Sequence, residues 1–253
     1  MMQGLSTIKS GLIGQQLRID TIANNMANIN TVGFRATSVR FADTLYTTMQ
    51  RPVQPQNGLD LQLGTGVLVA STTGSFIQGP LMTTGNALDL SLDGDGFFTV
   101  ENNGETQYTR NGAFGISVEN GAQYLVTEQG YYVLNANGAR ITIPQPNSGN
   151  LGVAADGSLS FDNAAPFATL GIASFPNNEG LEPRGGGCFA VTQASGEADK
   201  SQAVVRQGAL ESSNVNLVQE MTQLIRAQKC YALAARVVST LDEMQATAND
   251  MRR

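Results

Sequence analysis

Three carboxylates of this sequence could in principle supply the catalytic pair of a glycosidase. Glu119, Glu128 and Asp156 lie beside predicted turns in the central part of the chain. Glycoside hydrolysis commonly uses two carboxylates that flank the scissile bond, one as the acid and the other as the nucleophile or base. The spacing selects no particular pair, and solvated carboxylates are common in turns. A small envelope glycan-acting β-domain enzyme is one hypothesis, and an adhesin or other binding module is another.

Other catalytic and metal-binding patterns are missing from the sequence. The chain contains no histidine, which excludes a Ser-His-Asp triad and a histidine zinc site. Residues 93–96 resemble the start of a calcium loop, but Phe97 and Phe98 follow where oxygen ligands should continue. No Gly-x-x-x-x-Gly-Lys-Ser/Thr phosphate loop occurs. We therefore expect no catalytic residue, metal, cofactor or small-molecule substrate.

Composition also limits the class of partner and the cell compartment. The formal net charge of −6, with few clustered basic residues, argues against a nucleic-acid partner. No apolar run is long enough for a transmembrane helix, and residues 1–4 lack the features of a cleaved secretory signal. The sequence favours two buried or partly buried thiols at Cys188 and Cys230, although a disulfide between them stays open. We expect a cytosolic protein or one exported without a cleaved peptide.

Both ends of the chain carry the apolar spacing of amphipathic helices. The first helix is predicted from residue 5 to about 30, with Gly33 as a left-handed residue beyond its end. The second is predicted from an asparagine cap at Asn214 or Asn216, with Glu220 in the first turn. The candidate interface residues recur at steps of three and four: Leu5, Ile8, Leu12, Ile19, Ile22, Met26, Leu217, Met221, Leu224, Tyr231, Val238 and Leu241. An antiparallel coiled-coil-like pair of these helices would still expose apolar surface, which is typical of an assembly interface.

The middle of the chain has the signals of short strands. Apolar and polar residues alternate between residues 66 and 208, and turn dipeptides separate the alternating runs. These dipeptides favour tight hairpins and stand at 103–104, 111–112, 120–121, 137–138 and 156–157. We therefore predict an α+β fold with terminal helices and a central all-β domain. Its predicted parts are an N-terminal helix (1–34), an extended connecting segment (35–66), the β domain (67–208) and a C-terminal helix (209–253).

Three separated blocks resemble the axial proteins of the bacterial flagellar rod and hook. They lie at residues 23–35, at 94–98 with 108–114, and at 207–215 continuing into the second helix, in the order found in that family. The residues that carry the motif are Asn24, Asn25, Asn28, Thr31, Gly33, Phe34, Gly96, Phe97, Phe98, Asn214 and Val215. The length and the opening residues resemble the distal-rod type most. A proximal-rod or hook-type subunit is the alternative within the family.

This resemblance implies a structural protein that functions by assembly. Subunits of the family polymerise helically into a tube, with the terminal helices inside and the β domain outside. The implied partners are other copies of the chain, neighbouring rod and hook subunits, and the flagellar export apparatus. The implied location is the basal body, in the cell envelope outside the cytoplasmic membrane, reached without a cleaved signal peptide.

Overall fold

The computed structural model describes residues 2–48, 62–119, 121–144, 151–161 and 165–251. The chain divides into two compact units. The first, here called the helical unit, comprises residues 1–27, 37–74 and 216–253, and the second, here called the β unit, comprises residues 28–36 and 75–215. The predicted α+β class, with a helix near each end and a β-rich centre, is confirmed.

The helical unit contains two long helices and two short strand pairs. The helices are α1 (Met2–Ala27) and α2 (Leu217–Asp250), and the strands are β1 (Thr37–Asp43), β2 (Tyr46–Thr48), β3 (Gln62–Gly64) and β4 (Val67–Gly74). Strand β1 pairs antiparallel with β4, and β2 with β3. Helix α1 packs against both α2 and β1. No helix within the described ranges has a stretch long and apolar enough to span a membrane.

The sequence did not anticipate the β1–β4 ribbon. Strand β1 lies within the segment predicted to be an extended connection, and β4 lies at the start of the predicted β domain. The proline-containing part of the connection, at 49–58, lies outside the described residues. Gly14 explains why α1 can approach the ribbon closely, since a Cβ there would lie 2.9 Å from the Phe41 ring. The ribbon is therefore a packed part of the helical unit.

The β unit is built from short antiparallel strands. The strands are β5 (Leu81–Thr83), β6 (Leu90–Asp93), β7 (Phe97–Asn102), β8 (Glu105–Thr109), β9 (Phe114–Glu119), β10 (Ala122–Thr127), β11 (Tyr132–Val133), β12 (Thr142–Ile143), β13 (Leu151–Val153), β14 (Ser158–Phe161), β15 (Ala168–Thr169), β16 (Ile172–Ser174), β17 (Glu182–Gly185), β18 (Cys188–Ala190), β19 (Asp199–Lys200), β20 (Val204–Gln207) and β21 (Ala209–Glu211). A 3-10 turn occupies Asn178–Gly180. The main sheet has the order β12-β10-β11-β7-β8-β18-β17, with β9, β16 and β19 attached beside it. Smaller sheets pair β20 with β6, β21 with β5, and β14 with β13 and β15.

Strand β7 is the centre of the β unit because its two faces enter two different cores. Phe97 packs in a cluster with Phe175 and Phe189, whereas Phe98 packs in the larger cluster with Leu90 and Leu92. Successive residues of a strand point to opposite faces, so two adjacent phenylalanines can fill both cores. The Phe97-Phe98 motif is therefore explained by packing.

Most of the predicted tight turns are present. Asn103 and Gly104, both at positive φ, join β7 to β8, and Gly121 and Gly157 are positive-φ residues between β9 and β10 and between β13 and β14. The predicted hairpin turn at 111–112 was wrong, and the glycine at this position has another role. Gly112 accepts a hydrogen bond from the Leu90 N–H through its carbonyl, and β8 does not pair with β9 in the described sheet. Glycine is needed there for close approach to a neighbouring backbone.

We expect Gly112→Ala to lower the free energy of unfolding by about 3 kcal/mol, the upper range of overpacking costs. A Cβ at this position would lie 1.7 Å from the Leu90 carbonyl oxygen, which is backbone and cannot rotate away. Urea unfolding followed by circular dichroism measures the loss. Gly115→Ala is the matched control because a Cβ there meets nothing within 4 Å, and equal stability losses in the two variants would contradict this account.

Candidate assembly surface and its supporting contacts

Helix α2 begins at a well-formed cap. The Asn216 side-chain oxygen accepts hydrogen bonds from the backbone N–H groups of Val218 at 3.1 Å and Gln219 at 3.2 Å. Of the two predicted caps, the structure therefore selects Asn216, and Glu220 lies in the first turn as expected. The 34 residues of α2 span about 51 Å, against about 39 Å for the 26 residues of α1. The longer helix thus has more surface than α1 can cover.

The structure places the predicted interface residues in two environments. Ile22 is buried, and seven others are half-buried in the helical unit: Ile8, Leu12, Ile19, Met26, Leu224, Val238 and Leu241. The remaining four are exposed: Leu5, Leu217, Met221 and Tyr231. Within α2, the covered positions recur at steps of three and four, as expected for one side of a helix that packs on α1.

Further exposed apolar residues on α2 and at its C-terminal cap were not among the predicted interface residues. They are Val218, Ile225, Leu233, Val237, Met244 and Met251. The apolar pattern of the sequence is wide enough to contain them, but it does not show which side of α2 meets α1. The position of α1 decides this, because residues on the opposite side of α2 are left uncovered.

A buried asparagine connects α1 with strand β1. The Asn25 amide donates a hydrogen bond to the Thr37 carbonyl at 2.8 Å, and its oxygen accepts one from the Thr37 N–H at 2.9 Å. The same oxygen lies 3.2 Å from the Thr37 hydroxyl, which donates to it. Asn25 also contacts the Glu220 carboxyl in the first turn of α2. One motif asparagine therefore satisfies backbone groups of β1 and touches both helices.

Glu220 is nearly buried, and its Oε2 has no hydrogen-bond partner among the described residues. Desolvation by burial raises the pKa of this carboxyl, and the hydrogen bond to Asn25 partly offsets the rise. A raised native pKa means that the folded state binds the proton more tightly than the unfolded state. The contribution of Glu220 to the free energy of unfolding is therefore complete below its unfolded pKa of about 4.3. This contribution is lost as the pH rises through the native pKa.

We expect Glu220→Gln to be more stable than the wild type at neutral pH, with a difference that shrinks as the pH approaches about 4. The amide has nearly the same shape as the carboxyl and carries no charge to desolvate. Unfolding midpoints across this pH range measure the difference between the two proteins. Glu243→Gln, at an exposed position of the same helix, is the control. A difference between Glu220→Gln and the wild type that does not change with pH would refute the prediction.

The β unit contains a buried ion cluster to which all three motif blocks contribute. Glu211 lies between Arg35 and Arg110, with Oε1 2.8 Å from Arg35 Nη2 and Oε2 3.2 Å from Arg110 Nη1. All three side chains are almost completely buried. The Gly79 N–H also donates to Glu211 Oε1 at 2.8 Å. Residues from the start, the middle and the end of the sequence thus meet at one carboxylate.

Burial lowers the pKa of both guanidinium groups, and the charge of Glu211 partly offsets this effect. Each arginine also donates to a backbone carbonyl, Arg35 to Ile77 at 2.6 Å and Arg110 to Gly94 at 2.7 Å. Arginine remains charged in proteins, so the cluster depends on Glu211 as its buried counter-ion. These contacts make the cluster a structural feature.

Asn214 completes the motif contacts of the β unit. Its side-chain oxygen accepts from the Ala36 N–H at 2.7 Å, and its amide donates to the carbonyls of Ser75 at 2.8 Å and Ile77 at 2.9 Å. This asparagine therefore joins backbone segments distant in sequence, and it does not cap α2. The other motif residues comprise the buried Gly33, Gly96 and Val215, the half-buried Asn28 and Phe34, and the exposed Asn24 and Thr31.

The three carboxylates considered for catalysis are exposed. Glu119 accepts a hydrogen bond from the Tyr132 hydroxyl at 2.6 Å, and Asp156 accepts bonds from the backbone and side chain of Ser158. Hydrogen bonds from Ser158 lower the pKa of Asp156. Among the described residues, no group of three or more acidic or cysteine side chains is arranged to hold a metal ion. Both cysteines are free thiols: Cys188 is buried as predicted, whereas the prediction for Cys230 was wrong, since it is exposed on α2.

Comparisons with known proteins agree with the three motif blocks. Family profiles match at residues 5–35 (flagella basal body rod protein), 91–161 (flagellar hook protein FlgE/F/G D1 domain) and 206–251 (flagellar basal body rod FlgEFG protein C-terminal). A flagellar basal-body rod protein FlgG of Agrobacterium fabrum is 36% identical over 261 residues, covering 96% of this chain and 97% of the relative. The FlgG protein of Caulobacter vibrioides is 36% identical over 270 residues, covering 99% and 100%. A FlgF rod protein of Mesorhizobium japonicum is 35% identical over 248 residues, covering 96% of each chain.

A β-rich centre in the sequence between two terminal helices, together with the three matched motif blocks, defines a structural axial protein. The chain belongs to the flagellar basal-body rod protein family, as its full-length similarity to FlgG proteins shows. Its role is that of a structural subunit of the distal rod in the flagellar basal body, and it is not an enzyme. The predicted resemblance to the distal-rod type is confirmed.

Proposed function

We propose that this subunit polymerises helically with itself into the drive-shaft tube that transmits torque to the hook. The observation that carries the proposal is the uncovered apolar surface of α2. Leu233, Val237 and Met244 are 60%, 47% and 59% exposed on one stretch of this helix. Burying such a surface against another copy removes apolar area from water, which is the main driving force of protein association. A contact between different surfaces of successive copies would extend without closing.

We further propose that the predicted interface residues have two separate tasks. The covered ones, such as Leu12, Ile22 and Leu224, hold α1 to α2 within one subunit. The exposed ones, such as Leu217 and Met221, contact neighbouring copies. The contact of Asn25, near the end of α1, with Glu220, at the start of α2, supports an antiparallel, coiled-coil-like pairing of the helices.

We also propose a division of the chain between the inside and the outside of the tube. In this proposal α1 and α2 of the helical unit line the inner tube and the β unit forms the outer shell. Strands β1 and β4, predicted as part of the connection (35–66) and of the shell (67–208), stay with the helices. The apolar exposure of α2 supports the placement of that helix among its copies. Cys230, which is exposed in the subunit, provides a natural probe. Its reaction with a maleimide should be rapid in the monomer and slow in the polymer, and equal rates would contradict the inner position.

Export and wider assembly complete the proposal. Membership of the rod family supports contacts with neighbouring rod and hook subunits and passage through the flagellar export apparatus without a cleaved signal peptide. Intact-mass measurement of the protein recovered from basal bodies tests the export route. A mass that corresponds to loss of an N-terminal peptide would contradict it.

Introducing charge into the exposed apolar surface should block polymerisation. We expect the double variant Val237→Asp with Met244→Asp to stay monomeric at concentrations at which the wild type forms sedimenting polymers. Both positions are exposed in the subunit, so the monomer should keep its circular dichroism spectrum and unfolding midpoint. Incorporation into basal bodies of a strain that lacks its own copy of the gene provides the corresponding cellular measurement.

The matched control is Gln129→Asp, at an exposed glutamine of the β unit outside both helices. This variant should polymerise like the wild type if the Val237 and Met244 side forms the contact. Normal polymers and normal rods in the double aspartate variant would overturn the proposed assembly surface.

A further inference from the structure

A stripe of charged residues runs beside the exposed apolar surface of α2. Lys229, Arg236, Glu243 and Asp250 follow one another at intervals of seven residues, and all four are exposed. Seven residues are almost two turns of an α-helix, so the four side chains lie along one side with a drift of about 20° per step. The stripe is basic in its first half and acidic in its second. We call these four residues the charge stripe.

Within the described residues, the charge stripe has no counter-ions of its own. No residue of opposite charge lies three or four positions away from any of the four within the described part of α2, so helical neighbours do not neutralise them. None of the four takes part in the ion pairs of the described residues. The stripe lies away from the covered positions Ala227, Ala234, Val238 and Leu241, which are on the side of α2 that packs on α1. Its charges are therefore available to a partner.

The order of the charges makes the stripe complementary to a shifted copy of itself. Glu243 lies fourteen positions after Lys229, and Asp250 lies fourteen positions after Arg236. A parallel α2 displaced by fourteen residues, about 21 Å along the axis, would set both acidic residues opposite both basic ones. Without displacement, a parallel copy would face like charges with like charges, which repel. The stripe thus favours one axial displacement between neighbours.

The apolar residues next to the stripe strengthen the same contact. Val237 and Met244 each follow a stripe residue directly, and they repeat with the same interval of seven. Helices associate through apolar positions at heptad spacing, and the charged residues that flank those positions select the register. Association would come mainly from the apolar residues and the choice of displacement mainly from the charges.

We propose that the charge stripe sets a parallel, axially displaced contact between α2 helices of neighbouring copies, with Lys229 and Arg236 of one copy opposite Glu243 and Asp250 of the next. This inference rests on the proposed self-assembly and specifies its register. After one such contact, the first copy keeps a free basic or acidic half for a third copy, so growth continues. An antiparallel pair would match Lys229 with Asp250 and Arg236 with Glu243 at once, and both halves would then be used in a closed dimer.

Charge reversal in the full-length protein tests the pairing. We expect Lys229→Glu with Arg236→Glu, and separately Glu243→Lys with Asp250→Lys, to raise the critical concentration for polymerisation by about tenfold or more at low salt. The variant with all four reversals restores complementarity and should polymerise within about threefold of the wild type. High salt should weaken the differences because exposed charges are screened. Lys9→Glu with Arg18→Glu is the control, since it changes net charge equally at exposed positions of α1.

The outcomes separate this inference from the proposed self-assembly. If both double reversals polymerise like the wild type while Val237→Asp with Met244→Asp does not, the charge stripe is overturned and self-assembly stands. If the double aspartate variant also polymerises normally, the proposed assembly surface fails as well. Failure of the fourfold reversal to recover, with its monomer still folded by circular dichroism, also overturns the pairing.

Disulfide trapping decides the direction of the helices. Ala232 and Ala246 are exposed, are fourteen positions apart and lie beside the charge stripe. In a Cys230→Ala background, Ala232→Cys with Ala246→Cys should give a ladder of cross-linked oligomers on mild oxidation, because each copy bonds to two different neighbours. A product limited to closed dimers indicates the antiparallel contact and overturns the proposal, as does polymer without cross-links.

Discussion

Glu211→Ala is expected to lower the free energy of unfolding by about 4 kcal/mol, because it leaves two buried guanidinium groups without their counter-ion. Glu211 lies within 2.8 Å of Arg35 and within 3.2 Å of Arg110, and it is completely buried. Removing one partner from a buried ion pair costs more than the pair contributes, since the remaining charge stays desolvated. Urea unfolding of purified wild type and variant, followed by circular dichroism, measures the loss.

An exposed ion pair of the same unit provides the matched control. Glu101 pairs with Arg140 at 2.7 Å, but the side chains of Arg140 and Glu101 are 45% and 19% exposed. We expect Glu101→Ala to cost about 0.5 kcal/mol, as exposed pairs usually do. Glu211→Gln keeps the shape of the side chain and removes its charge. Its loss in free energy of unfolding should lie between the losses of the two alanine variants. If Glu211→Ala and Glu101→Ala lowered the free energy of unfolding by similarly small amounts, burial would not explain the importance of the cluster.

Asn25→Ala is expected to lower the free energy of unfolding by about 3 kcal/mol, since it leaves the N–H and carbonyl of Thr37 without their partners in a buried site. The two backbone hydrogen bonds are 2.8 Å and 2.9 Å long, and Asn25 is 2% exposed. The loss should also reduce incorporation into rods, because Asn25 contacts Glu220 of α2. Asn30→Ala, at an exposed position of the same asparagine-rich run, is the control and should change stability by less than about 0.5 kcal/mol.

Asn25→Asp separates hydrogen bonding from packing at this site. The aspartate keeps the size of the side chain and the acceptor, but it loses the donor to Thr37 and places a carboxylate against Glu220. We expect it to be strongly destabilising at neutral pH and to recover part of the loss as the pH falls to about 4, because protonation of the carboxyls removes their repulsion. Equal destabilisation at both pH values would exclude repulsion between the two carboxyls.

The sequence predicted the helices, the position of the β-rich centre and the family motif, since each depends on local patterns. Heptad-like apolar spacing indicates a helix without knowledge of its neighbours, and asparagine-glycine turns predict hairpins in the same way. The family resemblance could also be recognised from the sequence, because the residues that carry it form contiguous blocks. The ribbon of β1 and β4 was not anticipated, because pairing between segments this far apart leaves no local signal.

The roles of the motif residues could not be predicted from the sequence. Asn25 resembled the end of a helix, yet its main contact is with the backbone of Thr37. Asn214 was a candidate cap for α2, yet it bonds to Ala36, Ser75 and Ile77. Glu211 stood in a motif without an assigned role, and only its neighbours in space show that it is a buried counter-ion.

Local patterns in the sequence are enough to predict which residues form amphipathic helices, which turns join the strands and which family the motif blocks resemble. These properties follow from backbone conformation and from the periods of 3.6 and 2 residues, which local side chains set. The tertiary structure decided which side of α2 meets α1, which apolar residues stay exposed, and how Arg35, Arg110 and Glu211 come together. Burial and charge compensation depend on the whole set of neighbours in space, and a linear pattern does not specify that set.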